Sequence, residues 1–311
     1  MSCVRSMLAA AFAFAAASCS NSSSPGPSGP PLYVANTQAN SVTVFQAALV
    51  GSSTPNQSIS GLNTQLSNPW GVTTDASGKI YVTNQSSNAI TVFDSGANGN
   101  VAPVATISGA STGLSVPSGI AVDANGVIYV ANGNNSITVY AAGSSGNAGP
   151  SATISGLGTR LDGPLGIRLD GSGNLWVANH SGNTLTVYAS GANGNAVPTR
   201  TISGAGTGLN GPTGVALYPS GGIVVTNTAG NSITIYASAA TGNATPVYTI
   251  SGSSTQLDLP AGDVIDAADN LYVANTGAND VLVYTPGTYG NVAPTVALSA
   301  GSVAGPQGIG F

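Results

Sequence analysis

The chain has 311 residues, 43 of them glycine, and only 5% are charged; every acid is Asp, and the formal net charge is -5. That composition excludes the clustered Lys and Arg on which nucleic-acid or polybasic membrane binding depends. It also leaves few strong helix formers beyond the N-terminus, while turn formers and β-branched residues dominate, which points to an all-β chain.

Residues 1–18 read as a secretory signal, with Arg5 as the positive start and Met7 to Ala17 as the apolar run. That run is too short to span a bilayer. The small residues of Ala16-Ala17-Ser18 before Cys19 resemble the bacterial lipobox, with Ala16 standing where Leu is usual. The resemblance implies that the Cys19 thiol is lipidated and becomes the mature N-terminus, anchoring the protein in the periplasm or at the cell surface. Ordinary cleavage after Ala17, giving a secreted protein, is the alternative. Residues 19–31, rich in Ser, Pro and Gly, suit a flexible tether. The two cysteines, Cys3 and Cys19, both precede the rest of the chain, so no disulfide framework or Cys-based metal site is expected beyond them.

From Leu32 onward one pattern is written six times: LYVANTQANSVTVF at Leu32, then its relatives at Ile80, Ile128, Leu175, Ile223 and Leu271, with steps of 48, 48, 47, 48 and 48 residues. A strand-like period of this length signals a propeller or a related array. Each copy reads as two short strands around an Asn-x-x-x-Asn turn, Asn36 to Asn40 in the first, whose side chains can bond nearby backbone. The 47-residue step loses its residue in this turn, since Asn132 and Asn135 are three apart, as expected of a loop.

A Gly-Asn-x-x-Pro segment follows each hairpin, as at Gly99-Asn100/Pro103, and degrades to Gly51-Ser52/Pro55 in the first copy. A third strand comes next (Ala105 to Gly109), then a polar loop ending Pro-x-Gly, a fourth strand (Gly119 to Asp123) and an Asp-x-x-Gly turn. One period therefore holds four antiparallel strands, one propeller blade. We label them a (the Gly119 type), b, c and d. The first hairpin lacks a preceding strand a, and a surplus one, Pro306 to Phe311, ends the chain. Pairing the two closes a six-bladed ring over 32–311 and protects the open sheet edges.

Tyr81-Val82-Thr83-Asn84 resembles the signature of YVTN-type β-propeller repeats. The longer pattern, Pro117 to Asp123 with Ile128 to Asn132 and Ser136 to Tyr140, is similar to NHL repeats. The likeness covers 32–311 and implies the propeller fold; such families include binding modules, surface proteins and some enzymes. NHL repeats commonly carry Asp after strand b and basic residues in the next turn. Here Asn replaces the Asp, and Ser, Ala or Thr replaces the base, which removes the charged surface by which some members bind RNA.

Alternating strand direction places the b–c and d–a loops on one face, together with the mouth of the central channel, the default binding site of a ring. The x of Pro-x-Gly reads Trp70, Ser118, Leu165, Thr213, Ala261 and Gln307, a heterogeneous lining. Blade four concentrates charge: Arg160, Arg168, His180 and Arg200, with Trp176, in an otherwise acidic or neutral domain. Arg suits bidentate binding of a carboxylate or phosphate. Trp176 replaces Tyr and reads as inter-blade core, His180 as a solvated loop residue, and Arg200 as exposed on an outermost strand. Arg168 stands where other blades have small or apolar residues, and Asp263 where they have Val or Ile, so both need partners. They sit two blades apart, close enough in a ring to pair across the channel.

The candidate binding residues are thus Trp70, Arg160, Arg168, His180, Asp263 and Gln307, with Cys19 as the lipid attachment site. Related propellers that catalyse lean on metal ions held by Glu, His, Asp or Asn, yet this chain has one His and no Glu. Zinc ligands are missing; a hard cation on Asp and Asn oxygens stays open, although Asp75, Asp123, Asp170 and Asp266 fall in a–b turns on the opposite face. A Ser-His-Asp triad around His180 has no nucleophile-elbow motif beside it. No catalytic residue, metal or cofactor is assigned. The expected function is a monomeric, lipid-tethered, non-catalytic binding module for an envelope protein or glycan, contacting membrane only through Cys19. The alternatives are a metal-assisted hydrolase or lyase at the channel mouth and a structural envelope protein without a specific ligand.

Overall fold

The computed structural model describes residues 29–46, 53–299, 301 and 303–311. The signal and anchor, including Cys19, lie outside these residues, as does Gly51. Six four-stranded antiparallel sheets form a six-bladed β-propeller. Blade two runs β4 (Pro69–Thr74), β5 (Ile80–Asn84), β6 (Ala89–Phe93), β7 (Ala105–Ile107); blade three runs β8 (Pro117–Val122), β9 (Ile128–Asn132), β10 (Ser136–Tyr140), β11 (Ala152–Ser155). Blade four is β12 (Pro164–Leu169) to β15 (Arg200–Ile202), blade five β16 (Pro212–Leu217) to β19 (Tyr248–Ser251), and blade six β20 (Pro260–Ile265) to β23 (Val296–Leu298). The third strand is shorter than its sequence motif, ending at Ile107 or Ile202 because Gly109 and Gly204 turn with positive φ.

Blade one is composite. β1 (Leu32–Asn36), β2 (Ser41–Phe45) and β3 (Gln57–Ser60) come from the start of the domain, and β24 (Pro306–Gly310) supplies the innermost strand. β24 pairs antiparallel with β1, Tyr33 opposite Gly310 and Val34 opposite Ile309. Apolar packing completes the ring: Leu32, Val34 and Phe45 meet Val264, Ala274, Val281 and Leu298 of blade six. The core is therefore six such layers, one in each seam between neighbouring blades.

The repeated asparagines hold the seams. The first Asn of each b–c turn is fully buried and accepts a backbone N–H from its own blade's d–a loop, as Ser67 N–H donates to Asn84 Oδ1 at 3.0 Å. The last one reaches the next blade. Asn68 N–H donates to Asn40, Val116 to Asn88, Gly163 to Asn135, Gly211 to Asn183, Leu259 to Asn231 and Gly305 to Asn279. The Gly-Asn segment does the same outside: Gly99 bridges Ile59 of blade one in parallel fashion, while Asn100 accepts the Asn63 N–H at 2.8 Å. These side chains reach across seams, farther than the local turn bonds that the sequence implies.

Nearest the axis, the Pro-x-Gly glycines allow the closest approach. A Cβ on Gly71 would lie 2.5 Å from the Ser118 carbonyl oxygen, and one on Gly262 would lie 2.6 Å from that of Gln307. Gly119, Gly166, Gly214 and Gly308 face the next blade's backbone in the same way, so the contact runs unbroken around the ring.

Closure has two direct tests. Deleting 306–311 exposes β1 and the blade-six seam and is expected to lower Tm by at least about 10 °C, a loss of several kcal/mol; an unchanged Tm refutes closure by this strand. Gly262→Ala forces a clash at the same seam and should cost about 1–3 kcal/mol. Gly171→Ala, in a turn with open space around it, should leave Tm nearly where it was; equal losses in both variants would show that the glycine ring is not under close contact.

Candidate functional site

The channel has two widened parts. The upper one, at the loop face, is ringed by the six glycines together with Trp70, Thr213 and Asp263, and holds only about 50 Å³. The lower one, toward the a–b turns, is a chamber of about 290 Å³. Its walls are Val72, Ile120, Ile167, Val215 and Ile309, with Asp263 completing that ring, and below them Thr73, Ala121, Arg168, Val264 and Phe311. The sequence placed the binding site at the mouth; the larger space lies at the opposite end, because close glycine packing pinches the mouth shut.

Arg168 and Asp263 both line this lower chamber rather than the mouth, and no ion pair joins them. β12 brings Arg168 to the chamber, where water reaches it although protein surrounds it. Enclosure pulls its pKa down and Asp263 partly restores it. β20 places Asp263 at the boundary between the two spaces, 8% exposed, with neither carboxylate oxygen hydrogen-bonded to another residue. Burial pushes its carboxyl well above the usual range, and Arg168 opposes the shift. The two charges feel each other yet form no hydrogen bond.

The other candidates disperse. Trp70 is 7% exposed; it lines the upper space but offers no open ring face. Gln307, half-buried, sits at the mouth with its carbonyl against Gly262. His180 is half-buried, not solvated: its Nδ1 is 3.2 Å from Thr213 Oγ1 at the seam between blades four and five. That loop position is a seam contact elsewhere too, since Thr37 donates to the Pro69 carbonyl at 2.8 Å and Thr276 to that of Pro306 at 2.5 Å. Arg160 is exposed beside Asn135, Asp162 and Thr201, away from the channel.

Two readings of blade four change. Arg200 is half-buried rather than exposed: its guanidinium lies 4.6 Å over the Trp176 ring and donates to the Ser238 carbonyl at 2.6 Å. Trp176 is core as expected, and its indole N–H donates to Asp170 at 3.3 Å, as the Tyr81 hydroxyl does to Asp75. Charge here serves packing, with the cation held on the ring face. The a–b turn aspartates cap their own turns; Asp75 accepts from Ser77 and Lys79 N–H groups. Among the described residues, no three His, Cys, Asp or Glu side chains come together.

Sequence reasoning missed Val116 and Leu259. Both stand just before Pro-x-Gly on the loop face, with φ of +48° and +50°, and are 51% and 46% exposed. Asn68, Gly163, Gly211 and Gly305 hold the matching positions with φ of +54° to +62°. The signal was in the alignment of copies: four residues that tolerate left-handed backbone and two that do not.

No family model matches the sequence, and no curated protein matches it either. Solved structures do. The chain is similar to a chain of the nidogen/laminin complex (17% identity, 90% of this chain and 97% of that one, TM-score 0.63). It is also similar to a catalytically inactive virginiamycin B lyase from Staphylococcus aureus with quinupristin (18% identity, 81% and 76%, TM-score 0.55). A third is a protein of unknown function from Bacteroides caccae (11% identity, 91% and 98%, TM-score 0.65). At these identities the likeness carries the propeller fold alone.

The buried carboxyl makes a pH-dependent prediction. The unfolded chain ionises Asp263 from about pH 4, while the folded chain keeps its proton to higher pH. The folded state thus binds more protons across that interval, and stability falls as pH rises through it. Arg168 is the charged group that acts on it, and the Tyr218 hydroxyl of blade five feels its charge. Asp263→Asn is expected to raise Tm at pH 8 and to raise it less at pH 4; an equal gain at both would overturn the assignment.

Proposed function

We propose that this protein is an exported, lipid-tethered β-propeller of the NHL/YVTN type that holds a protein partner on its b–c and d–a loop face. The observation that carries this reading is the pair Val116 and Leu259. Left-handed backbone is imposed there by the seam bonds to Asn88 and Asn231, and a Gly or Asn would meet it without strain. A branched side chain in that conformation costs about 1–2 kcal/mol. Folding therefore gains nothing from these two half-exposed apolar residues, whereas a docking surface does.

The class of partner follows from the rest of the face. It is lined mostly by Thr, Asn, Gly, Ser and Ala with exposed Leu62 and Leu157, and Arg160, Asp162, Asp258 and His180 are among its few ionisable groups. That suits a protein surface better than an anionic polymer. A glycan would favour an open aromatic platform, and Trp70 is only 7% exposed. The tether over 19–31 and the lipobox-like Cys19 support placement in the cell envelope.

Val116→Asn with Leu259→Asn should raise Tm by a few degrees, because strain is relieved, yet weaken capture of the envelope partner at least about tenfold. Lys79→Ala, in an a–b turn on the far face, should change neither. Equal capture by all three proteins refutes the loop-face reading. Cys19→Ser should move the protein from membrane to soluble fractions, and continued membrane retention would refute lipid anchoring.

A further inference from the structure

The lower chamber stands apart from the loop face and is not explained by it. Its two charged residues are both departures from the repeat. Where Arg168 stands, the other blades have Thr73, Ala121, Ala216, Val264 and Gly310; where Asp263 stands, they have Val72, Ile120, Ile167, Val215 and Ile309. Four blades thus fold without a charge at either position. Asp263 is nine-tenths buried with neither oxygen hydrogen-bonded to another residue, and Arg168, open to water in the chamber, forms no hydrogen bond with the protein. Buried polar groups are ordinarily satisfied, and each exception calls for an explanation.

We propose that the chamber binds a small amphoteric molecule, with its carboxylate held by Arg168 and its ammonium by Asp263. A simple anion would satisfy Arg168 but add a second negative charge near Asp263. A simple cation would do the reverse. A ligand carrying both groups supplies each side chain with a charged hydrogen-bond partner and leaves the enclosed space neutral. Arg is suited to the carboxylate end, since its planar donors match two oxygens at once. The apolar ring of Val72, Ile120, Ile167, Val215 and Ile309 would cover the carbon skeleton between the two ends. At about 290 Å³ the space takes a molecule of several non-hydrogen atoms but not a long chain. The channel mouth is too tight for the same task.

The probes are glycine, β-alanine and γ-aminobutyrate, which differ in the spacing of ammonium and carboxylate. Acetate, propionate and ethylamine are the single-charge controls. Calorimetric titration into the exported protein, with Tm measured in parallel, is expected to show binding by at least one of the three zwitterions, with a matching rise in Tm. The single-charge controls should bind at least about tenfold more weakly. Arg168→Ala and Asp263→Val copy residues that other blades already carry, so the ring should still close, and each should weaken zwitterion binding at least about tenfold. The proposal is overturned if none of the three zwitterions produces heat or a Tm shift, if acetate or propionate binds as tightly, or if both variants bind like the original. Should a variant fail to melt cooperatively, the comparison of zwitterions with single-charge controls on the unaltered protein still decides.

Discussion

Everything in this ring depends on how closely six innermost strands can approach one another. At Gly71, Gly119, Gly166, Gly214, Gly262 and Gly308 the backbone of one blade lies against a carbonyl of the next, with no room for a Cβ. This contact sets the radius at the axis. It narrows the mouth, leaves the wider space lower down, and brings each b–c loop within hydrogen-bonding reach of the following d–a loop. Without it the six Asn struts would not find their donors, and the apolar layers between sheets would open toward water.

Repetition divides labour among residues. What recurs in every blade is occupied by the scaffold: the buried Asn of strand b, the strut Asn of the turn and the glycine at the axis. Some departures are compensated locally and so carry no further meaning. Trp176 replaces Tyr but keeps the bond to its turn Asp, and Arg200 settles on the indole face. In blade five Tyr218 stands where blades two, three, four and six have the turn Asp, and Val224 where they have the aromatic, so acid and aromatic partner are lost together. Other departures are not compensated. Arg168 and Asp263 stand without partners in a shared space, and Val116 and Leu259 hold a strained backbone with their side chains turned to solvent. Those four residues are departures that the scaffold does not explain, whereas Arg160 lies exposed on the surface and Arg200 packs on the Trp176 ring.

The amino-acid sequence by itself determined the fold almost completely. A period of 48 residues, two β-branched runs around an Asn turn and a surplus Pro-x-Gly strand at the end leave few alternatives to six closed blades, because period-two burial and turn chemistry are local properties. It also marked Arg168 and Asp263 as misfits, since comparing six copies shows what each position tolerates. Tertiary structure decided the rest. That the mouth is pinched and the chamber lies below it follows from backbone approach at glycines, which no single repeat encodes. How a polar group is placed depends on neighbours that the folded ring supplies: His180 meets Thr213 of the next blade and Arg200 lies over Trp176, while Asp263 has no hydrogen bond from another residue. Such distances arise only when the ring closes, and so the sequence could name the odd residues but not say which of them remain unsatisfied.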